Sequence, residues 1–323
     1  MKTVAITGAS GYIGRHLVAA LKGVEDIRIK VLSRSRPEDC PIEIRRPGIE
    51  IFQGDLCNLE SLRGFLEPGC SVVNLVYLWE AGEQRNLAAT THLLDACRDA
   101  NAGRLIHCST AAVVGRTRDD LVTENTPCRP VTDYGITKLK VEHAVLEAAR
   151  TGLDAAILRP TSVFGPGGAP LKKLADDLAQ GSRFRNYLKS CLFGERQMNL
   201  VHVTNVVAAI VFLLERTESL GGQVYIVSDD DSPSNKFADV ERVLMREFGV
   251  PYYRSPRVQV PLGVLQSLLH CLGRNNTNPR CRYRSAHLAA LGFRSPVRFD
   301  TALTDYARWY RAGRLDDQRQ VAQ

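Results

Sequence analysis

Tyr134 and Lys138 stand four residues apart in a stretch whose apolar spacing predicts a helix over roughly 134–150. Residues i and i+4 share one helical face, so the phenol and the ammonium project into the same space. A nearby cation favours phenolate over phenol and draws the tyrosine pKa down, which suits a general acid/base. Alone, Y-x-x-x-K is commonly a solvated pair. Its position gives it weight: about 25 residues earlier, an apolar strand at 104–108 delivers Ser109 and Thr110 to its carboxyl end. That is the side on which open α/β sheets bind ligands.

A second constellation opens the chain. The short strand Val4-Ala-Ile6 runs into Gly8, Gly11 and Gly14, and a helix starts near Tyr12. Glycines between a strand end and a helix start let the backbone approach a diphosphate, whose charge then faces the free N–H groups of the helix. The spacing is G-x-x-G-x-x-G rather than G-x-G-x-x-G, so the strand before it and the amphipathic helix after it carry the reading. Residues 27–33 predict a second strand, ending in Ser33 and Arg34 with no acid at that place. An acid there would bond the free ribose hydroxyls and an arginine accommodates a phosphate, so Arg34 favours NADP(H) over NAD(H) unless it is a solvated loop residue. A third strand at 49–52 leads to Asp55 and Leu56. Asp55 suits either an acceptor for an adenine amino group or a helix N-cap.

The elements that must hold these groups follow from periodicity. Residues 12–22 place Ile13, Leu17, Val18 and Leu21 on one face of a helix. Strands are predicted at 72–76, 104–108 and 155–159, with a helix at 85–99. Such alternation means an α/β fold with a doubly wound parallel sheet, a Rossmann-type dinucleotide-binding domain over 1–165. Beyond it the alternation weakens: helix 170–180, a basic loop at 183–196, a strand near 199–203 and a helix 204–216. A strand at 223–228, a helix 236–248, a helix 300–312 and a polar tail from Leu315 complete the chain. Residues 166–323 are read as mainly a smaller substrate-binding lobe, with some segments returning to the first domain. The apolar stretch 258–272, flanked by Arg254, Arg257 and Arg274, reads as a helix packed on its own domain in preference to an amphipathic surface helix, because it is short and carries Pro261.

Composition bounds the partners. The 323 residues are 44% hydrophobic and 24% charged, with a formal charge of +7. Lysine and arginine are scattered, with short clusters at 34–36 and 280–284, so no nucleic-acid footprint is expected; the charge suits an anionic cofactor. The nine cysteines include no C-x-x-C pair and no histidine at zinc spacing, so no metal site is expected. Their odd number and the lack of a recognisable signal peptide fit reduced thiols in the cytoplasm. No apolar run reaches the length of a membrane span, so stable membrane insertion is not expected.

Together the glycine turn, Asp55, Ser109-Thr110, Tyr134 and Lys138 resemble the extended short-chain dehydrogenase/reductase superfamily, of the NAD-dependent epimerase/dehydratase type. Gly8-Ala-Ser-Gly-Tyr-Ile-Gly14 resembles its opening, Asn86 sits at its helix asparagine, and 109–115 resembles its S-[ST]-x-x-V-Y-G. Residues 159–166 and 200–203 are similar to its R-P-x-x-V-[FY]-G-P and [IV]-H-V segments. The resemblance implies Tyr134 as acid/base, Lys138 as the group that lowers its pKa and holds the nicotinamide ribose, and Thr110 as a hydrogen-bond partner of the substrate oxygen. It implies a cofactor set of Gly8, Gly11, Tyr12, Ile13, Gly14, Ser33, Arg34, Asp55, Leu56, Val76 and Lys138, with Ser162, Arg196 and Arg280 towards the substrate. A homodimer is implied as well.

Departures narrow the function. Val114 replaces the usual tyrosine, Ser162 an asparagine, and Met198 an arginine that binds the substrate diphosphate, although Arg183, Arg185 and Arg196 are near in sequence. Ala111 and Ala112 follow Thr110 where dehydratases carry an Asp-Glu pair, which argues against dehydration. The leading expectation is hydride transfer at a hydroxyl or keto carbon of a nucleotide sugar, by a ketoreductase or 4-epimerase. Arg34 tilts it towards a reductase. The alternatives are a hydroxysteroid or other apolar-alcohol dehydrogenase, for which 258–272 would be a substrate wall, and a non-catalytic dinucleotide sensor on the same fold.

Overall fold

The chain is described from a computed structural model covering residues 2–274 and 276–321. Its first part alternates as β1 (Lys2–Thr7), α1 (Tyr12–Leu21), β2 (Ile27–Ser33), β3 (Ile49–Gln53), α2 (Leu59–Phe65), β4 (Ser71–Asn74), α3 (Gly82–Asp99) and β5 (Arg104–Cys108). A short strand β6 (Leu121–Val122) and the helix α4 (Asp133–Arg150) lead to β7 (Ala155–Pro160). Then come β8 (Ser162–Phe164), α5 (Lys172–Gln180), α6 (Arg183–Phe193), β9 (Leu200–His202), α7 (Val203–Glu215), β10 (Gln223–Val227) and α8 (Phe237–Phe248). The chain continues through α9 (Leu262–Cys271), β11 (Arg282–Tyr283), α10 (Ala286–Ala290) and α11 (Phe299–Val321).

Seven strands form one parallel sheet in the order β10-β7-β5-β4-β1-β2-β3. Strands buried on both faces must be apolar throughout, as Val4, Ala5 and Ile6 and the run Ala155 to Leu158 are. One face packs α1 and α7 through Leu17, Val18, Val206, Ile210 and Leu213; the other packs α2, α3 and α4 through Leu62, Phe65, Leu93, Cys97 and Val145. The strand order reverses between β1 and β4, where crossovers to either side leave a crevice at the carboxyl ends. The sheet is the doubly wound Rossmann arrangement.

A smaller lobe is built from α5, α6, α8 and α11 around Phe164, Leu171, Leu244, Leu303 and Tyr306. It is not a separate run of chain: α7 lies on α1, and β10 hydrogen-bonds β7 at the sheet edge. Three expectations change here. Residues 183–193 are a helix rather than a basic loop, with Ser182 accepting from the Arg185 N–H. The helix in the apolar stretch begins only at Leu262, after Pro261; it buries Leu265 and Leu269 and leaves Val264 and Leu268 exposed. The backbone from Leu315 to Val321 continues α11 as helix.

Two contacts fix α4 against the sheet. The Arg159 guanidinium on β7 holds the Glu142 carboxylate on α4 at 2.5–3.2 Å, and Glu142 is fully buried. Four residues towards the N-terminus, the buried Lys138 ammonium donates to the Cys108 carbonyl at the end of β5 at 2.8 Å. Removing one partner of such a pair leaves an uncompensated buried charge, at a cost of about 3–5 kcal/mol. Glu142→Ala is therefore expected to lower unfolding stability by about that amount, read as a fall in the urea midpoint; an unchanged midpoint would show that the pair does not anchor α4.

Candidate active site

The glycine turn sits at the carboxyl end of β1. Gly8 has φ +81, and its carbonyl accepts from the Gly11 N–H at 3.0 Å. A Cβ on Gly14 would lie 2.7 Å from the Ala9 Cα, so α1 packs on the turn only with a hydrogen there. Helix α1 has no side-chain cap and no acid in its first turn, which begins with Tyr12 and Ile13. Its N–H groups and positive end are open to an anion. The Tyr12 hydroxyl is itself buried without a partner among the described residues, and burial raises its pKa.

The neighbouring strand ends extend this cradle. After β2, the Ser33 hydroxyl accepts from the Ser35 N–H at 3.2 Å, while the exposed Arg34 has no hydrogen-bond or ion-pair partner among the described residues. After β3, Asp55 Oδ1 accepts from the Cys57 N–H at 2.9 Å. The cap of α2 is Asn58, not Asp55. Leu56 is buried beside it, and after β4 the Val76 N–H donates to Asn74 Oδ1 at 3.1 Å. Glycine turn, unpaired Arg34, Asp55 and Val76 thus line the carboxyl ends of four adjacent strands, and these residues fit a dinucleotide.

Thr110 and Tyr134 meet at the end of β5. Thr110 starts a short 3₁₀ turn, its hydroxyl accepting from the Ala112 N–H at 3.2 Å, and it lies close enough to the Tyr134 phenol to oppose the rise in its pKa. Thr132 caps α4 by accepting from the Gly135 N–H at 3.2 Å, which sets Tyr134 in the first turn. Lys138 lies one turn on, yet its ammonium is committed to the Cys108 carbonyl and lies 5.6 Å from the Tyr77 ring centre. Burial lowers its pKa. The expected downward pull on the tyrosine is absent: burial pushes the Tyr134 phenol up to about 12, with Thr110 opposing. Helical spacing places the two side chains together but says nothing of desolvation, which dominates here.

Below these groups a buried chain of hydrogen bonds ties the strand ends together. Thr7 Oγ1 donates to Asn74 Oδ1 at 2.8 Å, and Asn74 Nδ2 lies 3.1 Å from His107 Nδ1. Burial holds the His107 pKa well below the usual imidazole range, so the ring is neutral.

Two aromatic residues after β4 have no periodic signal in the sequence, from which only Val76 stood out. Trp79 stacks on Tyr134 with ring centres 5.0 Å apart and planes 11° apart, and Tyr77 meets Tyr134 edge-on at 4.8 Å. Trp79 remains 73% exposed, so its outer face is a flat apolar wall beside the phenol. Asn86 on α3 fixes this loop: its side chain accepts from the Leu78 N–H and donates to the Leu78 carbonyl, both at 2.9 Å.

The segments bearing the residues assigned to the substrate are neighbours: the Gln197 N–H donates to the Pro279 carbonyl at 2.9 Å, and the Ser162 N–H to the Asn199 carbonyl at 2.8 Å. Ser162 is exposed on β8. Met198 packs on the lobe core, and Arg183 donates to the Pro251 and Tyr252 carbonyls. Arg196 is largely enclosed without a carboxylate partner among the described residues, and burial with the nearby Arg274 lowers its pKa. Arg280 lines a cleft with Arg118, Asp119 and Asp120 beside α9.

A model of the NAD dependent epimerase/dehydratase family matches residues 4–228. The chain belongs to that family. Among curated relatives, the 4-hydroxy-2-methyl-3-oxo-4-farnesyl-3,4-dihydroquinoline-1-oxide ketoreductase of Stigmatella aurantiaca is 30% identical over 235 residues, covering 69% of this chain and 67% of its own. Sterol demethylase protein B of Methylococcus capsulatus is 26% identical over 337 aligned positions, covering 96% of this chain and 98% of its own. A crystal structure of dTDP-glucose 4,6-dehydratase from Bacillus anthracis in complex with NAD superposes with a TM-score of 0.72 at 18% identity, over 97% of each chain. That likeness establishes the fold of this family member. Among the described residues no helix is long and apolar enough to cross a membrane.

The raised phenol pKa has a direct readout. In cofactor-free protein, the tyrosinate absorbance of wild type minus Tyr134→Phe is expected to stay at zero up to about pH 10. A difference signal emerging near neutral pH would show that Lys138 overrides burial.

Proposed function

We propose that this enzyme is an NAD(P)-dependent ketoreductase, working reversibly as a dehydrogenase, that interconverts a secondary alcohol and its ketone on a bulky, largely apolar ring substrate. The observation that carries the reading is the Tyr134 phenol with the exposed Trp79 ring stacked on it at 5.0 Å and Thr110 beside it. Bound nicotinamide dinucleotide supplies or accepts the hydride. Thr110 orients the substrate oxygen, and Tyr134 donates its hydroxyl proton to that oxygen on reduction or takes it back on oxidation. Lys138 holds α4 on β5 through the Cys108 carbonyl and so sets the position of Tyr134 one turn earlier. The wall of Trp79 and Tyr77 excludes water from one side and gives a flat apolar ring a surface to lie on. Two relatives support this substrate class, one named as a farnesyl-quinoline ketoreductase and the other as a sterol demethylase protein.

A phenol with its pKa near 12 is a stable proton donor, which suits reduction. Below that pKa its protonated fraction is close to one and level, whereas the phenolate needed for oxidation grows about tenfold per pH unit. With a ketone panel that includes sterol-like and quinone-like substrates, Tyr134→Phe is expected to lower kcat by about 10²–10⁴-fold with cofactor affinity kept. Full activity in that variant removes Tyr134 from the proton role.

Arg34 supports NADP(H) as the preferred cofactor, since an exposed guanidinium with no protein partner is free to take a ribose phosphate. Arg34→Ala is expected to reduce the NADPH-over-NADH affinity ratio by roughly tenfold, and an unchanged ratio in a binding titration refutes the assignment.

One observation favours a second reading. Arg196 and Arg274 are neighbouring cations, and Arg196 has no carboxylate partner among the described residues, which suits the diphosphate of a nucleotide sugar, with Ser162 and Arg280 as further contacts. Titration of the NADPH-loaded protein with UDP, dTDP and GDP separates the two. A shift unchanged in Arg196→Ala, or no shift at all, is the outcome expected for the apolar substrate, whereas a saturable shift lost in Arg196→Ala establishes the nucleotide sugar.

A further inference from the structure

Between Thr110 and Tyr134 the chain makes a loop whose two ends are pinned to each other. The Arg129 N–H donates to the Val114 carbonyl at 2.8 Å, and the Arg116 N–H donates to the Arg129 carbonyl at 3.1 Å. Gly115, with φ +67, sits so close to this crossing that a Cβ would lie 2.5 Å from the Pro130 Cα. Arg116 and Arg129 are therefore held side by side by backbone bonds rather than by their side chains. Arg116 follows Thr110 by six residues, and Arg129 precedes Tyr134 by five.

Both arginines line a cavity of about 870 Å³ that also takes in Thr117, Arg118, His270 and Thr277. Arg116, Arg118 and Arg129 have no carboxylate partner among the described residues, although Asp119 lies on the same wall. That carboxylate accepts from the Thr117 hydroxyl at 3.2 Å, and the next acid, Asp120, accepts from Asn278 at 3.0 Å. Like charges gathered around one cavity repel one another, and a bound anion relieves that repulsion. Three arginines converging on one cavity, two of them on a rigid crossing, match an oxyanion, because a guanidinium binds carboxylate or phosphate through two parallel N–H bonds.

We propose that this cavity is an oxyanion site, and that the substrate carries a phosphate or carboxylate group which it holds away from the reacting carbon. The inference rests on the ketoreductase reading for the role of the site, and it extends that reading to a substrate with two handles: a ring against Trp79 and an anion against Arg116 and Arg129. Remote binding of this kind orients a reacting group, because the flanks of the site are the two ends of the same pinned loop that lead to Thr110 and Tyr134.

The test uses the full chain saturated with NADPH, so that the glycine turn is already filled. Inorganic pyrophosphate and glutarate are titrated separately by calorimetry, the first standing for a phosphate handle and the second for a carboxylate. At least one is expected to bind saturably, with affinity lowered tenfold or more in the double variant R116Q/R129Q and unchanged in Arg85→Gln, an exposed arginine elsewhere. Retained NADPH binding in the double variant reports that it is folded, and R116K/R129K, which keeps the charge, is expected to recover part of the affinity. No saturable binding of either probe to the wild type, or equal affinity in R116Q/R129Q, overturns the site. Tyr134→Phe is expected to bind the probe as the wild type does. A protein that turns over no ketone yet binds the probe through Arg116 and Arg129 therefore refutes the ketoreductase reading and keeps the anion site.

Discussion

A single buried ammonium organises the reaction centre. Lys138 is almost fully enclosed between α4 and the sheet, and a charge in that position is tolerable only with an acceptor. The Cys108 carbonyl at 2.8 Å is that acceptor. Because Cys108 is the last residue of β5, the bond fixes the height of α4 along the strand. Tyr134, one turn earlier, is carried to the level of Thr110, two residues beyond Cys108. The Glu142–Arg159 pair repeats the device further along the helix, against β7. Helix α4 is thus held to two adjacent strands, by a charged hydrogen bond to β5 and an ion pair to β7, and Val141 and Val145 are buried between them.

The same logic of fixed strand ends runs across the sheet. Thr7, Asn74 and His107 link β1, β4 and β5 at the place where the strand order reverses, and the neutral imidazole closes the chain without adding a charge. Asn74 also orders Val76, and Asn86 orders Leu78. The loop that presents Tyr77 and Trp79 is therefore held at both ends by asparagine side chains. Cofactor cradle and aromatic wall share one support.

Much of this was legible from residue types and spacing. The β1 turn, β2 with Arg34 at its end, β5 and the helix carrying Tyr134 and Lys138 are local features, set by apolar runs, glycines and i, i+4 geometry. What escaped depended on contacts distant in sequence. Residues 183–193 look like a basic loop because their charges stand out, although Phe184, Tyr187, Leu188 and Cys191 recur at helical spacing after the Ser182 cap. The stacking of Trp79 on Tyr134 joins residues 55 positions apart, and no pattern around residue 79 announces it. The direction of the Tyr134 pKa failed for a related reason: pattern reveals which charge is adjacent, whereas burial and the prior commitment of Lys138 to Cys108 are properties of the folded state. Met198 stands at a position read as substrate-facing and packs on the lobe core instead.

The late return of the chain to its own sheet has a consequence for how such an enzyme can change. Strand β10 closes the edge of β7, and α7 covers α1, after the chain has already passed through α5 and α6 of the lobe. The helical lobe and the parallel sheet are interleaved in the covalent order, so neither can be traded as a cassette by recombination at one crossover. New specificities in this architecture have to arise by point changes and loop insertions on a scaffold inherited whole, and the segment at 76–82, which Asn74 and Asn86 anchor and which leaves Trp79 exposed, is where such changes disturb the sheet least.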